Sequence, residues 1–261
     1  YFGECLSTMK AMKHLDLESK DGKAPGGFMY PLYEIGVPFI YMNAVGSQRD
    51  VVTMVHEGGH AVHSFLCRNL SMTEFKSTPS EVAELASMSM ELISMDHWDV
   101  FYADETELKR AKLEQLEKVL EGLPWIASID KFQHWIYTTK HTAKERKKKW
   151  LEISAKLGNQ IIDWEGNENV HANLWQRQLH LYEVPFYYIE YGMAQLGAIA
   201  MWRSYKKLGE KGLDNYMEAL KLGYTKTISE IYETAGIKFD FSANYVKELT
   251  NFIKKELSNL D

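Results

Sequence analysis

Thr53–Phe65 reads TMVHEGGHAVHSF, with three histidines, one glutamate and two adjacent glycines inside an otherwise helical pattern. Working outward, Ser47 is a candidate N-cap with Asp50 in the first turn, and Val51, Val52, Met54, Val55, Ala61, Val62, Phe65 and Leu66 recur at helical spacing. On such a helix His56 and His60, four residues apart, share one face, so both imidazoles can reach a single ion. Glu57 is turned about 100° from His56 around the axis, off the ion but near enough to take a proton from a water bound to it.

This HExxH spacing is the arrangement in which two histidines hold zinc and the glutamate serves as general base. His63 shares the face of His56, but seven residues rise about 10.5 Å, too far for all three imidazoles to hold one ion. His63 is therefore read as a support behind the ligands or as packing. Gly58 and Gly59 each disfavour a helix interior by about 1 kcal/mol against alanine. Their adjacency calls for the close approach of another backbone or of a substrate, or for tight helix packing.

A catalytic zinc needs a third protein ligand and one open position. The metzincin continuation HExxHxxGxxH is absent, because Phe65-Leu66-Cys67 follow. A second helix beginning at Pro79 offers Glu81, Glu84 and Glu91, with Glu74 just before it. Glu84 and Glu91 are seven apart and lie among Ala, Ser and Met, where an unpartnered carboxylate is costly to bury. Spacing leaves the choice among these glutamates open.

The surroundings agree with an enzyme of mainly helical fold. At 261 residues and 45% hydrophobic content the chain can bury a substantial core, and one domain over 1–261 is expected. A net charge of -6 gives no basic field for a nucleic-acid partner, and the one basic run, KERKKK from Lys144 to Lys149, reads as a solvated helix face. No stretch is apolar and long enough to span a membrane, and no secretory leader is recognisable. Two cysteines, Cys5 and Cys67, form no disulfide framework, so a reducing, cytoplasmic setting is expected.

Strand territory is confined to Phe28–Val45, near the N-terminus, and implies a small sheet. Helices are expected over 1–15, from Ser47, after Thr78, over 104–120, from Ile129 to Gly158 after a break at Pro124, and over 186–207, 213–221, 227–235 and 242–258. Gly158–Gln178 is the longest loop candidate. His180–Tyr191, HLYEVPFYYIEY, places one histidine among four tyrosines, a cluster of hydrogen-bond donors beside apolar surface.

HEGGHAVHSF followed by TPSEVAELASMSMEL resembles the oligoendopeptidase F branch of the thimet oligopeptidase (M3) family of zinc peptidases. PFIYMNAVGSQRDVVTMVHE, HLYEVPFYYIEYGMAQLGA and LKLGYTKTISEIYETAG resemble the same branch, so the likeness runs from about Gly22 onward. It implies a zincin-like multi-helix catalytic domain holding one Zn2+ by His56, His60 and Glu84, with Glu91 orienting a ligating histidine. It further implies that His180 and a tyrosine, Tyr187, Tyr188 or Tyr191, bind substrate carbonyls and stabilise the oxyanion. The PFIYMNAVG strand would form the cleft edge that pairs with peptide backbone, making Tyr41, Asn43, Ala44 and Gly46 substrate contacts.

The activity so implied is zinc-dependent endopeptidase cleavage of short peptides by a metal-activated water, with Glu57 as base. Two rivals use the same site: a metallocarboxypeptidase, and a zinc- and peptide-binding half-protein of low activity. The second arises because family members carry an N-terminal helical half, of which residues 1–21 would be only the tail end; the chain also starts without methionine.

Overall fold

The computed structural model describes residues 1–260 of the chain. Its order is α1 (Phe2–Ala11), β1 (Leu15–Glu18), β2 (Gly27–Tyr30), β3 (Phe39–Ala44), α2 (Gln48–Cys67), α3 (Thr73–Lys76) and α4 (Ser80–Ser94). There follow α5 (Glu105–Thr138), α6 (Ala143–Leu157), α7 (Glu168–Asn173), α8 (His180–Glu183), α9 (Ile189–Leu208), α10 (Glu210–Lys221), α11 (Ile228–Thr234) and α12 (Ala243–Ser258). The expected fold class, mainly α with a small sheet near the N-terminus, is the one observed. Among the described residues no helix is long and apolar enough to cross a membrane.

The chain divides into two units, one of Tyr1–Leu113 with Ala194 to the end of the chain, the other of Glu114–Met193. In the first, α1 and the sheet close over α2 through Cys5, Met9, Ile40, Met42, Ala61 and Phe65. Helix α4 packs along α2 and is held from behind by two buried tyrosines. Tyr216 of α10 donates to the Ala86 carbonyl at 2.7 Å, and Tyr232 of α11 donates to the Glu81 carbonyl at 3.0 Å. In the second unit Ile129 and Phe132 of α5, Trp150 and Ile153 of α6, Trp175 and Leu181 form the core.

Three expectations need correction. Pro124 does not end a helix but lies inside α5. A proline there costs about 3 kcal/mol, and the buried stripe Val119, Ile126, Ile129 and Phe132 offsets it. The break falls instead at 139–142, where Thr142 and Glu145 form a capping box that the T-x-x-E spacing signals. Secondly, two elements lie where none was read: β1 in the end of a helix and a polar turn, and α7 inside the loop candidate Gly158–Gln178.

The third correction concerns the sheet. Its strand order is β1-β3-β2, so β3, expected at the cleft edge, is the central strand, parallel to β1 and antiparallel to β2. At Ile40 and Tyr41 its backbone is paired on both sides and has no free edge for a peptide strand. Of the four residues expected to meet substrate, the Tyr41 hydroxyl donates to the Ala24 carbonyl at 2.8 Å, and the Asn43 amide reaches the Lys23 and Ala24 carbonyls at 3.3 Å. Ala44 pairs with Glu18, and Gly46, at φ 85°, makes the turn before α2.

Candidate metal centre

Helix α2 starts at a capping box in which the Asp50 carboxylate accepts from the Ser47 amide at 2.7 Å. Two turns on, its 3.6-residue period brings His56 and His60 to the face that meets α4. The crossing is close because position 59 has no side chain: a Cβ there would lie 2.7 Å from the Ala86 oxygen and 2.7 Å from the Ser87 Cα. At Gly58 a Cβ would meet nothing within 4 Å. The two glycines thus have separate roles, one admitting the α4 backbone and the other leaving open space beside Glu57. Gly59→Ala is expected to destabilise the chain by ~1–3 kcal/mol through overpacking, and Gly58→Ala to stabilise it by about 1 kcal/mol. Thermal unfolding of the two variants would show shifts of opposite sign.

Close packing of α2 on α4 gathers the candidate ligands. His56 Nε2 lies 3.4 Å from Glu84 Oε2, and His60 Nε2 lies 3.7 Å from the same oxygen. The three donor atoms all fall within 4.8 Å of one another. Ligands about 2.0–2.1 Å from a tetrahedral zinc are about 3.3 Å apart, so these residues fit such an ion. Among the described residues no other group of three or more His, Cys, Asp or Glu side chains is so arranged.

The neighbours of these side chains fix their orientation. His56 Nδ1 meets Glu91 Oε1 at 2.6 Å, which leaves Nε2 facing Glu84. The Ser87 hydroxyl, fully buried, donates to Glu84 Oε2 at 2.8 Å. Glu81 and Glu91, the other candidates on α4, are outside the group. His63 is also outside it: buried at the foot of α2, it pairs with the Leu220 carbonyl, to which Cys67 Sγ also donates at 3.1 Å. These two side chains cap the end of α10, so His63 takes the packing role.

Three carboxylates beside two imidazoles, all largely out of water, set the electrostatics. Burial opposes the His56 cation, but the Glu91 hydrogen bond and the charges of Glu91, Glu84 and Glu57 outweigh it and lift its pKa to about 9. Burial, with repulsion from His56 and His63, holds His60 well below the ordinary histidine range. Burial raises both Glu57 and Glu84 above the ordinary carboxylate range. Such a cluster has a surplus of negative charge that a divalent cation would neutralise. Glu57, 6% exposed, also accepts from the Met29 amide of β2, the edge strand beside α2.

Metal–proton competition follows. With the His56 pKa raised to about 9, the metal-free site holds a proton at neutral pH that an ion must displace. Affinity is expected to rise about tenfold per pH unit below that value and to level off above it. Zinc titration in a chelator buffer from pH 6.5 upward would read this slope. Glu91→Ala should weaken metal binding by about 10–100-fold, since outer partners of ligating imidazoles contribute that much.

The second unit holds His180 and its tyrosines. The ring of His180 lies 4.9 Å from Tyr188, 5.7 Å from Tyr191 and 6.1 Å from Tyr187. A relay of side chains sets its tautomer. The Trp125 indole donates to Gln178 Oε1 at 3.0 Å, and the Gln178 amide nitrogen lies 2.7 Å from His180 Nδ1. Nδ1 therefore accepts, and the proton of the neutral ring is on Nε2. Burial lowers the His180 pKa, which favours that neutral form. Neither Trp125 nor Gln178 carries a motif in the sequence; Gln178, two residues before the histidine, is the only local signal.

Comparison with known proteins shows the family of the chain. The chain is 25% identical over 235 residues to oligopeptidase PepF of Bacillus subtilis, covering 85% of this chain and 33% of that protein. It is 24% identical over 256 residues to an oligoendopeptidase F homolog of Borreliella burgdorferi, covering 94% of this chain and 42% of that one. The chain thus spans well under half the length of these relatives. The solved structure of PZ peptidase A with an inhibitor superposes with a TM-score of 0.89 at 29% identity, over 99% of this chain and 46% of that one. Residues 5–251 match Peptidase family M3, and the chain belongs to that family.

Proposed function

We propose that the chain carries the zinc site of an endopeptidase for short peptides, with Glu57 as the base that moves the protons. The observation that supports this most is the gathering of His56 Nε2, His60 Nε2 and Glu84 Oε2 next to a buried Glu57. Zinc bound by these residues would supply Lewis acidity, polarising the scissile carbonyl and making a water acidic enough to attack near neutral pH.

Glu57 takes the proton of the attacking water as its oxygen bonds to the carbonyl carbon, and delivers that proton to the amine as the C–N bond breaks. Its raised proton affinity suits both transfers. Glu91 holds the His56 ring, and Ser87 holds the Glu84 carboxylate. Because β3 is internal, an extended substrate would add to the free edge of β2, whose Met29 amide already meets Glu57.

His180 is proposed to donate from Nε2 to the developing oxyanion, assisted by Tyr187, Tyr188 or Tyr191. Loss of one such donor typically costs about 10²–10³ in kcat. His180→Ala should therefore lower kcat by about that factor with a smaller change in KM; an effect confined to KM would remove the assignment. The peptidase reading itself is tested with an internally quenched peptide blocked at both ends. Cleavage that stops with chelator and returns with zinc is expected. Cleavage only of peptides with a free C-terminus would favour a carboxypeptidase, and zinc binding without turnover a binding half-protein.

A further inference from the structure

The basic run Lys144–Lys149 is not wholly a solvated face. Arg146 lies on the same side of α6 as Trp150, Ile153 and Leu157, the stripe that meets the core of the second unit, and is half-buried. A partly buried guanidinium ordinarily has a carboxylate partner. Arg146 has none among the described residues, and the adjacent Glu145 carboxylate caps Thr142.

What holds Arg146 is a neutral histidine. His141 Nδ1 lies 2.7 Å from the Thr139 carbonyl, which can only accept, so Nδ1 carries the proton. Its Nε2 lone pair then faces Arg146 Nη1 at 3.1 Å. The histidine positions the guanidinium and leaves its charge uncompensated.

Arg146 and His141 line a cavity of about 370 Å³, within the size range of small-molecule sites. Its remaining walls are Ile136, Tyr137, Trp175, Leu181 and Tyr182, and no acidic side chain lines it. Trp175, 8% exposed, closes one wall. One cavity thus brings together an uncompensated cation and apolar and aromatic walls.

We propose that this cavity binds the C-terminal carboxylate of a peptide whose last side chain is aromatic or branched and apolar. The carboxylate meets Arg146, and the side chain packs on Tyr137, Leu181 and Tyr182. The choice of a peptide rests on the peptidase reading above; the carboxylate and its apolar neighbour are read from the cavity.

Isothermal titration of the whole metal-loaded chain, with Glu57→Gln to prevent turnover, tests the site. The probes are N-acetyl-Ala-Ala-Phe as the free acid, the same peptide as its C-terminal amide, and phenylacetate. The acid is expected to bind about tenfold or more tightly than the amide, as a charge-assisted hydrogen bond would give. Arg146→Met should abolish that preference, and Arg146→Lys should keep part of it. Equal binding of acid and amide to the unmutated cavity would overturn the proposal, whatever the variants do. So would an undiminished preference in Arg146→Met, or phenylacetate binding as tightly as the peptide acid. Cleavage of a doubly blocked peptide is independent of this site. If it occurs without an acid preference, the carboxylate site alone fails; if the preference appears without cleavage, the peptidase reading fails and the site stands.

Discussion

Glu57→Gln is expected to lower peptide hydrolysis by about 10²–10⁴-fold, the usual contribution of a positioned general base, with zinc content unchanged. The glutamine keeps the shape and can still accept from the Met29 amide, so β2 and α2 should stay in place. It cannot take a proton from water. Glu57 is not among the three donors that converge, which is why its loss should separate catalysis from metal binding. Steady-state kinetics on a blocked peptide with parallel elemental analysis would read both quantities. A variant that lost its zinc as well would mean that Glu57 is a ligand and that the proton transfer must be assigned elsewhere.

Glu84→Gln should have the opposite profile. Removing one of three protein ligands is expected to weaken zinc binding on the order of 10³-fold or more, beyond the 10–100-fold of an outer partner. The metal-free chain should nevertheless unfold at the same temperature or higher. Glu84 is 9% exposed, and burial raises its pKa, so its charge is a cost in the empty site. The sign is that of a carboxylate with raised pKa, whose ionisation destabilises the fold as pH rises above its unfolded value. Glutamine removes that charge and can still accept from Ser87. Chelator-buffered zinc titration and melting curves above pH 7 would detect the two effects. Such a trade of stability for function is common where carboxylates are held together for a metal.

Much of this site was legible because it depends on helical period. His56, Glu57 and His60 lie on one helix, where spacing alone gives their directions, and the same rise separates His63 from the ligands. Glu84 was less accessible. Three glutamates of one helix fitted the spacing, and only the family resemblance selected the one that meets His56 and His60. Gly59 showed its meaning once α4 was seen against it, since a pair of glycines does not say which backbone approaches.

What stayed hidden depends on contacts distant in sequence. Strand order in a three-stranded sheet is set by pairing partners, so the apolar run of Phe39–Ala44 could not tell a central strand from an edge. Pro124 argues locally for a break, and tertiary burial of the α5 stripe overrides it. Ser87 and Gln178 act through side-chain hydrogen bonds that no periodicity announces. Arg146 was grouped with its neighbouring lysines because charge, not direction, dominates a run of six basic and acidic residues.

X-ray absorption at the zinc edge of the loaded chain is the most direct test of the proposed centre. The expected first shell has only nitrogen and oxygen at about 2.0–2.2 Å, including two imidazoles, and it loses one imidazole in His60→Ala. Sulfur at about 2.3 Å, or an unchanged shell in His60→Ala, would contradict a centre built on His56, His60 and Glu84.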